Sequence, residues 1–348
     1  MSCLYFENTD DPFQATRILL NRMKPFDALS RKSKIILKPN LVVSKPSSSG
    51  ATTDPRIAEA VIVYLKDLGF SNISIRESSW IGDDTKKAFK VCGYVELSEK
   101  YGIPLFDLKG DTAVEMEFNG FKTSIFKSIS EADYLINLPL IKGHCQTKIT
   151  CALKNLKGCI PDSEKRRFHS EGLHRPIACL NGMIKQNLII ADGFITDPGF
   201  EEGGNPKQMG IIAISDDPVM MDSFAAFKLG FHPDEIKYLK LCREYGFGTY
   251  YRENSGNDPI VRADENLNNI RIHQENACSN CYSNLLSALK KINSGNHEFR
   301  EDIYIGQSYK GKTFSGTGIG DCCKGASHFI PGCPPSTDDI YMYLADKK

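Results

Sequence analysis

The sequence predicts an α/β body, a mostly parallel or mixed sheet flanked by helices, with a small C-terminal cysteine-rich metal-cluster module. Three observations carry this. Short apolar runs alternate with amphipathic stretches through the first two-thirds of the chain, the pattern of strands joined by helical crossovers. Periodicity then fades after Gly248 into a polar stretch that includes Asn254, Asn257, Asn266, Asn268 and Asn269. Beyond that stretch come Cys278-Ser279-Asn280-Cys281, Asp321-Cys322-Cys323-Lys324 and Pro331-Gly332-Cys333-Pro334-Pro335. At 348 residues the chain is long enough for one large core and a small appendage. We expect a body over 1–250, a connector over 251–270 and the cysteine module over 271–348.

The elements follow in order. Residues 33–40 read as a buried strand ending in a loop. Thr53-Asp54-Pro55 then opens a helix, with a capping residue ahead of Pro at the first helical position. That helix sets Ile57, Val61, Tyr64, Leu65 and Leu68 on one side and stops at Gly69. Residues 72–76 make the next strand, 83–92 a helix and 104–107 a third strand. Asn119-Gly120 between the runs 114–118 and 121–126 is a hairpin turn signal. Residues 134–138, 188–191 and 210–214 are further buried strands. Ser215-Asp216-Asp217-Pro218 caps a helix over 219–230. In the module a helix is expected from about residue 281 to 292, before a glycine-rich stretch at 311–320.

Composition narrows the function classes. Lys plus Arg and Asp plus Glu are both 43, so no global field draws the chain to nucleic acid or to a membrane surface. No apolar run reaches the roughly 18 residues of a membrane span. Met1-Ser2-Cys3-Leu4-Tyr5-Phe6 lacks the charged-then-apolar order of a signal peptide, so a cytoplasmic protein is expected. Twelve cysteines then read as reduced thiols kept for metal or chemistry rather than as a disulfide scaffold. Oligomeric state is not legible.

Cys278 and Cys281 stand at i and i+3, with a third thiol about forty residues on and a fourth about ten later, a spacing that can close a four-thiolate site. Neighbouring side chains rarely reach one cluster together, so either Cys322 or Cys323 is expected to join Cys278, Cys281 and Cys333. The Gly332-Cys333-Pro334-Pro335 ending favours a [4Fe–4S] cluster, because a proline just after a ligand recurs in ferredoxin-type runs. Zinc is the main rival, and ordinary buried thiols are the bland alternative.

A second centre of chemistry spans 142–169, leaving the sheet at the carboxyl end of the 134–138 strand, where open α/β sheets bind ligands. It carries five Lys, two Arg, two His and three Cys against two acids. Lys142, Lys154, Lys165 and Arg166, with Asn155, suit a carboxylate or phosphate. His144 is a candidate proton donor beside Cys145, a candidate nucleophile or ligand, and His169 is a second candidate imidazole. Lysines on an exposed helix are more often simple solvation, but this run is a poor amphipathic helix. Asp192 ends a strand as a candidate ligand-facing acid. Asp217 reads as a helix cap, and Asp222 as either a buried hydrogen-bonded acid or a site residue.

The chain resembles the DUF362 family, prokaryotic proteins of largely unassigned activity that often carry an iron–sulfur module. The residues concerned are Leu37-Lys38-Pro39-Asn40-Leu41 with Thr52-Thr53-Asp54-Pro55, Lys142 and His144, Thr150 through Gly158, Ala191-Asp192-Gly193, and Ser215-Asp216-Asp217-Pro218-Val219 with Asp222. The resemblance covers roughly 34–248 and implies that Lys38 and Asn40 also face the substrate. Many relatives carry close Cys-x2-Cys-x2-Cys runs; this chain has the spread C-terminal set instead.

Together these features suggest a redox enzyme or enzyme component passing electrons from a cluster to an anionic small-molecule substrate or cofactor, with a redox partner protein. The competing readings are a hydro-lyase or isomerase using the cluster as a Lewis acid, and an electron-carrier or binding module without chemistry of its own. The Gly316-x-Gly318-x-Gly320 run lacks the strand-to-helix setting of a nucleotide fingerprint.

Overall fold

A computed structural model describes residues 2–252, 271–293 and 302–346. Most of the connector expected over 251–270 lies outside the described residues. The chain divides into two compact units, and residues 144–148 belong with the second, C-terminal one.

The first unit is built on β1 (Leu4–Asn8), α1 (Pro12–Met23), β2 (Ile35–Pro39), α2 (Pro55–Asp67), β3 (Ile73–Glu77), α3 (Thr85–Val91), α4 (Tyr94–Tyr101) and β4 (Leu105–Asp107). A hairpin of β5 (Ala113–Phe118) and β6 (Phe121–Phe126) follows, then α5 (Lys127–Ser130) and β7 (Tyr134–Leu138). Short strands β8 (Lys142–His144) and β9 (Lys148–Thr150) lead to α6 (Ala152–Asn155), α7 (Asp162–Glu171) and α8 (His174–Met183). The unit closes with β10 (Leu188–Thr196), β11 (Lys207–Ser215), α9 (Pro218–Lys228) and α10 (Lys237–Glu244).

Seven strands form one mixed sheet in the order β1-β11-β10-β7-β2-β3-β4. From β10 to β4 the neighbours run parallel, and β11 pairs antiparallel with both β10 and β1. Parallel strands are buried on both faces, so their residues alternate between two cores. Ile36 packs with Leu135, Ile189 and Ile211 in one core, whereas Ile35 and Leu37 join Phe26, Ile57, Val61 and Tyr94 in the other. Burying each such Ile or Leu contributes about 1.5–3 kcal/mol.

Helix starts follow local chemistry. Asp54 caps α2 by accepting from Arg56 N at 2.9 Å, with Pro55 in the first turn. Asp217 caps α9 by accepting from Met220 N at 2.8 Å.

The second unit contains β12 (Arg271–Gln274), α11 (Ser279–Asn293), β13 (Asp302–Ile305), β14 (Phe314–Ile319), β15 (Ala326–Ile330) and α12 (Thr337–Ala345). Its four strands lie in sequence order and are all parallel. Ile303, Ile305, Ile319 and Ile330 pack with Leu285, Leu289, Ile340 and Leu344. Ser336 caps α12 through Asp339 N at 3.0 Å, and the Asp339 carboxylate returns to Ser336 N at 3.3 Å. With all strands parallel, every loop leaving a strand's carboxyl end emerges at the same end of the sheet.

Candidate metal centre and candidate ligand site

That shared end gathers the cysteines. Cys278 follows β12 just before α11, Cys281 lies in the first turn of α11, Cys322 follows β14 and Cys333 follows β15. These four thiols line one hollow together with Gln307, Asp321, Gly306, Ile319, Gly320 and Gly332. The loops carrying Cys322 and Cys333 are clamped: Asp321 N donates to Gly332 O at 3.0 Å, and Gly332 N to the Asp321 carboxylate at 3.1 Å. Cys323 turns elsewhere. It is fully buried, and its thiol donates to Tyr304 O at 3.4 Å. Of the adjacent pair, Cys322 therefore faces the hollow.

Crowding shows in the thiols' acidity. Burial first, then the neighbouring Cys278, Cys333, Cys322 and Cys323 charges, push Cys281 up to about 12. Burial, Cys278 and Cys333 likewise raise Cys322. Neighbouring negative charge disfavours ionising Cys281 and Cys322, and a bound metal cation would reverse that penalty by taking them as thiolates. The donor set thus fits a metal centre, and the second unit carries a thiol set able to hold one. Four cysteines match a cluster or a zinc ion alike.

In the first unit, the chain moves outward from β2 to β4 and then returns to lay β7 on the other side of β2. The switch point therefore lies between β2 and β7, whose carboxyl ends Pro39 and Leu138 are paired in register. Polar groups crowd there. Asn40 N donates to Thr53 Oγ1 at 2.9 Å, and Thr53 Oγ1 donates to Leu138 O at 2.7 Å. The Lys142 ammonium is buried, donating to Asn40 Oδ1 at 3.2 Å, Ala51 O at 2.5 Å and Glu201 O at 2.7 Å. Burial, then the Lys154 charge, pull it down to about 7. Asp192 accepts from Asp54 N at 2.8 Å and Phe194 N at 2.9 Å, and burial followed by the Asp54 charge raises it to about 7.

Lys38 sits one residue from this point in a buried network that sequence reading lacked half of. Its ammonium meets both Glu77 carboxylate oxygens, at 2.9 and 3.1 Å, Pro39 O at 3.1 Å and Asn155 Oδ1 at 3.4 Å. Asn155 also donates to Asn137 Oδ1 at 2.7 Å. Gly158 leaves room for the pair: a Cβ there would stand 2.1 Å from Glu77 Oε1 and 2.6 Å from Lys38 Nζ. The Asn155-x-x-Gly158 spacing is thereby explained as packing around an ion pair. The signal for Glu77 was an acid closing a strand in which Ile73 and Ile75 alternate with Ser74 and Arg76.

The other candidates stand on α6, on α7 and at the end of β8. Lys165 is buried on α7, donating to Ser78 Oγ at 2.7 Å, Ser79 O at 2.8 Å and the Asp162 carboxylate at 3.0 Å. Arg166 is exposed on the same helix. His169, also exposed, shares a 3.0 Å hydrogen bond with Lys157. Lys154 Nζ reaches Thr150 Oγ1 at 3.4 Å. In the second unit, His144 Nδ1 accepts from Gln146 N at 3.0 Å and Thr147 N at 3.3 Å, which leaves Nε2 to carry the proton of a neutral ring. The Cys145 thiol donates to Ala277 O at 3.7 Å.

Asp222 is a buried hydrogen-bonded acid, accepting from Leu153 N at 3.2 Å and Tyr238 OH at 3.0 Å. Burial pushes it up to about 7 despite these donors. The unfolded chain releases this proton near 3.9, so the stability Asp222 contributes is whole below about pH 4 and is lost as pH rises through about 7. Asn can still accept from Leu153 and donate to Tyr238 OH. We expect Asp222→Asn to gain stability over the native chain increasingly from about pH 4 to about pH 7 and to hold that gain above it, read as urea midpoints; an unchanging gap means that Asp222 does not titrate there.

The structure is that of an α/β protein with a group of thiols that could hold a metal. The family model "Domain of unknown function (DUF362)" matches residues 35–227, more than half of the chain, and the chain belongs to the DUF362 family. The match covers the Lys38 network and the switch point and ends before Cys278. The thylakoid-associated protein sll1697 of Synechocystis sp. is 28% identical over 235 residues, 65% of this chain and 70% of that protein. The lactate racemase apoprotein from Thermoanaerobacterium thermosaccharolyticum aligns over 99% of this chain and 76% of its own at 11% identity, with a TM-score of 0.43. Among the described residues, no helix is long and apolar enough to cross a membrane.

Proposed function

We propose that this chain is an iron–sulfur protein whose second unit holds a [4Fe–4S] cluster through Cys278, Cys281, Cys322 and Cys333. In this reading it serves the reduction or oxidation of an anionic organic substrate or cofactor bound by the first unit. The observation that carries the reading is the lining of one hollow by four thiols from separate loops. The Gly332-Cys333-Pro334-Pro335 ending favours iron over zinc. When bound, such a cluster supplies electrons one at a time, so a two-electron reaction requires a partner protein or second cofactor. A complete set of four thiolates leaves no iron open to substrate, which favours electron transfer over Lewis-acid chemistry.

For the substrate, the chain offers the switch point between β2 and β7, with Asn40 and Lys142 as donors and Asp192 beside them. Lys142 is the cation of that crevice; an anion arriving there would exchange places with the oxygens the ammonium now contacts. Truncating one partner of a desolvated charge pair costs about 2–5 kcal/mol. Lys142→Ala should then weaken binding by roughly one to three orders of magnitude, measured by calorimetry with a panel of small carboxylates and phosphates. Equal affinities in the native and Ala proteins would remove Lys142 from the site. The cluster itself is tested by anaerobic purification with iron, sulfide and zinc analysis and EPR of the reduced protein. Stoichiometric zinc without iron sinks the reading.

A further inference from the structure

Gln307 follows β13 and lines the same hollow as the four thiols. Its side-chain Nε2 lies 3.1 Å from Cys278 Sγ. Two backbone bonds lock the residue onto the loop that leads to Cys278: Gln307 N donates to Asn276 O at 3.1 Å, and Ser308 N to Glu275 O at 3.4 Å. Gly306 makes this close approach feasible. A Cβ there would stand 1.8 Å from Glu275 O, and its φ of 132° suits glycine. A ligating cysteine is a thiolate without a proton, so it can only accept. Chemistry therefore fixes which end of the Gln307 amide faces the sulfur: the N–H2 end.

We propose that Gln307 is a positioning residue for the metal centre, donating a hydrogen bond to the Cys278 thiolate and thereby raising the reduction potential of the bound cluster. The inference rests on the iron–sulfur reading above and assigns a determinant of potential within it. Reduction adds one electron, and with it negative charge shared with the ligand sulfurs. A donor on one of those sulfurs stabilises the added charge, so the reduced form is favoured. No bond is made or broken in the chain, and the electron comes from an added reductant such as dithionite.

The test uses the anaerobically purified full chain and its Gln307→Leu and Gln307→Glu variants. Leu removes the donor, and Glu replaces it with a negative charge. Redox titration followed by EPR should give potentials falling in the order native, Leu, Glu, with iron content retained. The Leu shift should persist at high salt, because a direct hydrogen bond is screened far less than a distant charge. A Leu variant that keeps its iron and titrates at the native potential overturns the proposal. Should the variants lose the cluster, the native protein decides alone. Chain labelled with 15N only in glutamine side chains should show an amide nitrogen coupled to the reduced cluster in pulsed EPR; no coupling overturns the proposal. Zinc in place of iron in the native chain is a separate result: it removes the iron–sulfur reading and this inference with it.

Discussion

Cys278→Ser, Cys281→Ser, Cys322→Ser and Cys333→Ser should each strip or convert the cluster, whereas Cys323→Ser and Cys242→Ser should keep about four irons per chain. The contrast between Cys322 and Cys323 is the sharpest part. They are neighbours in sequence, so composition and spacing treat them alike, yet only Cys322 lines the hollow while Cys323 is bonded to Tyr304 O. A serine at 323 can still donate to that carbonyl, so the site should survive. A serine at 322 offers a hydroxyl where a thiolate is required. Because metal binding draws its free energy from the folded arrangement, losing one ligand should also weaken the second unit. Iron and sulfide analysis of the six variants, purified without oxygen, reads the result. Iron lost from Cys323→Ser but retained in Cys322→Ser would reverse the assignment of ligands.

Much of the body was legible because parallel strands are apolar on both faces and announce themselves as runs. Residues 134–138 match β7, and the strand read over 104–107 differs from β4 only at its first residue. Strands with mixed ends were read short: β10 runs on through Asp192 and Gly193 to Thr196, because the residues beyond Ala191 still pair with β11. The amino-terminal β1 and α1 gave weaker signals. All but one of the β1 residues are only half-buried, and α1 buries a narrow stripe of Ala15, Thr16, Leu19 and Leu20. The polar site was half legible. Lys38, Asn40, Asn155 and Lys142 were found as residue types, but what each faces was not, since Glu77 and Asn137 come from other strands and are joined only by the sheet. Cationic density over 142–169 misled in one respect. Part of the charge is neutralised locally: Lys165 is held by Ser78, Ser79 and Asp162, while Arg167 is held by Glu164 and Glu171. Counting two acids in the segment did not show which cation each one holds, and Ser78 and Ser79 lie far away in the sequence.

Breaking the Lys38–Glu77 pair should cost about 3–5 kcal/mol, because removing either partner leaves the other charge buried and uncompensated. Both side chains are almost completely shielded, at 0% and 3% exposure, so solvent cannot screen the loss. Glu77 additionally accepts from Ser78 N at 2.7 Å and Leu41 N at 3.2 Å, so it holds down the residue just past β3 and the second residue past β2. Lys38→Met and Glu77→Leu should therefore each lower the urea midpoint steeply. The double variant should be less damaged than the two losses added together, because an apolar pair of similar volume leaves no buried charge. Gly158→Ala should resemble the single variants, since its added carbon would occupy the space of Glu77 Oε1. If each single change costs only about 1 kcal/mol or less, the pair behaves like an exposed one and its burial is not the source of its weight. The pattern also bears on the crevice: Asn40, which accepts from Lys142, lies between Pro39 and Leu41, both bonded to this network. A chain that loses the pair should lose the alignment of Asn40 with Lys142, and its affinity for small anions should fall even where folding is restored by low temperature or added osmolyte.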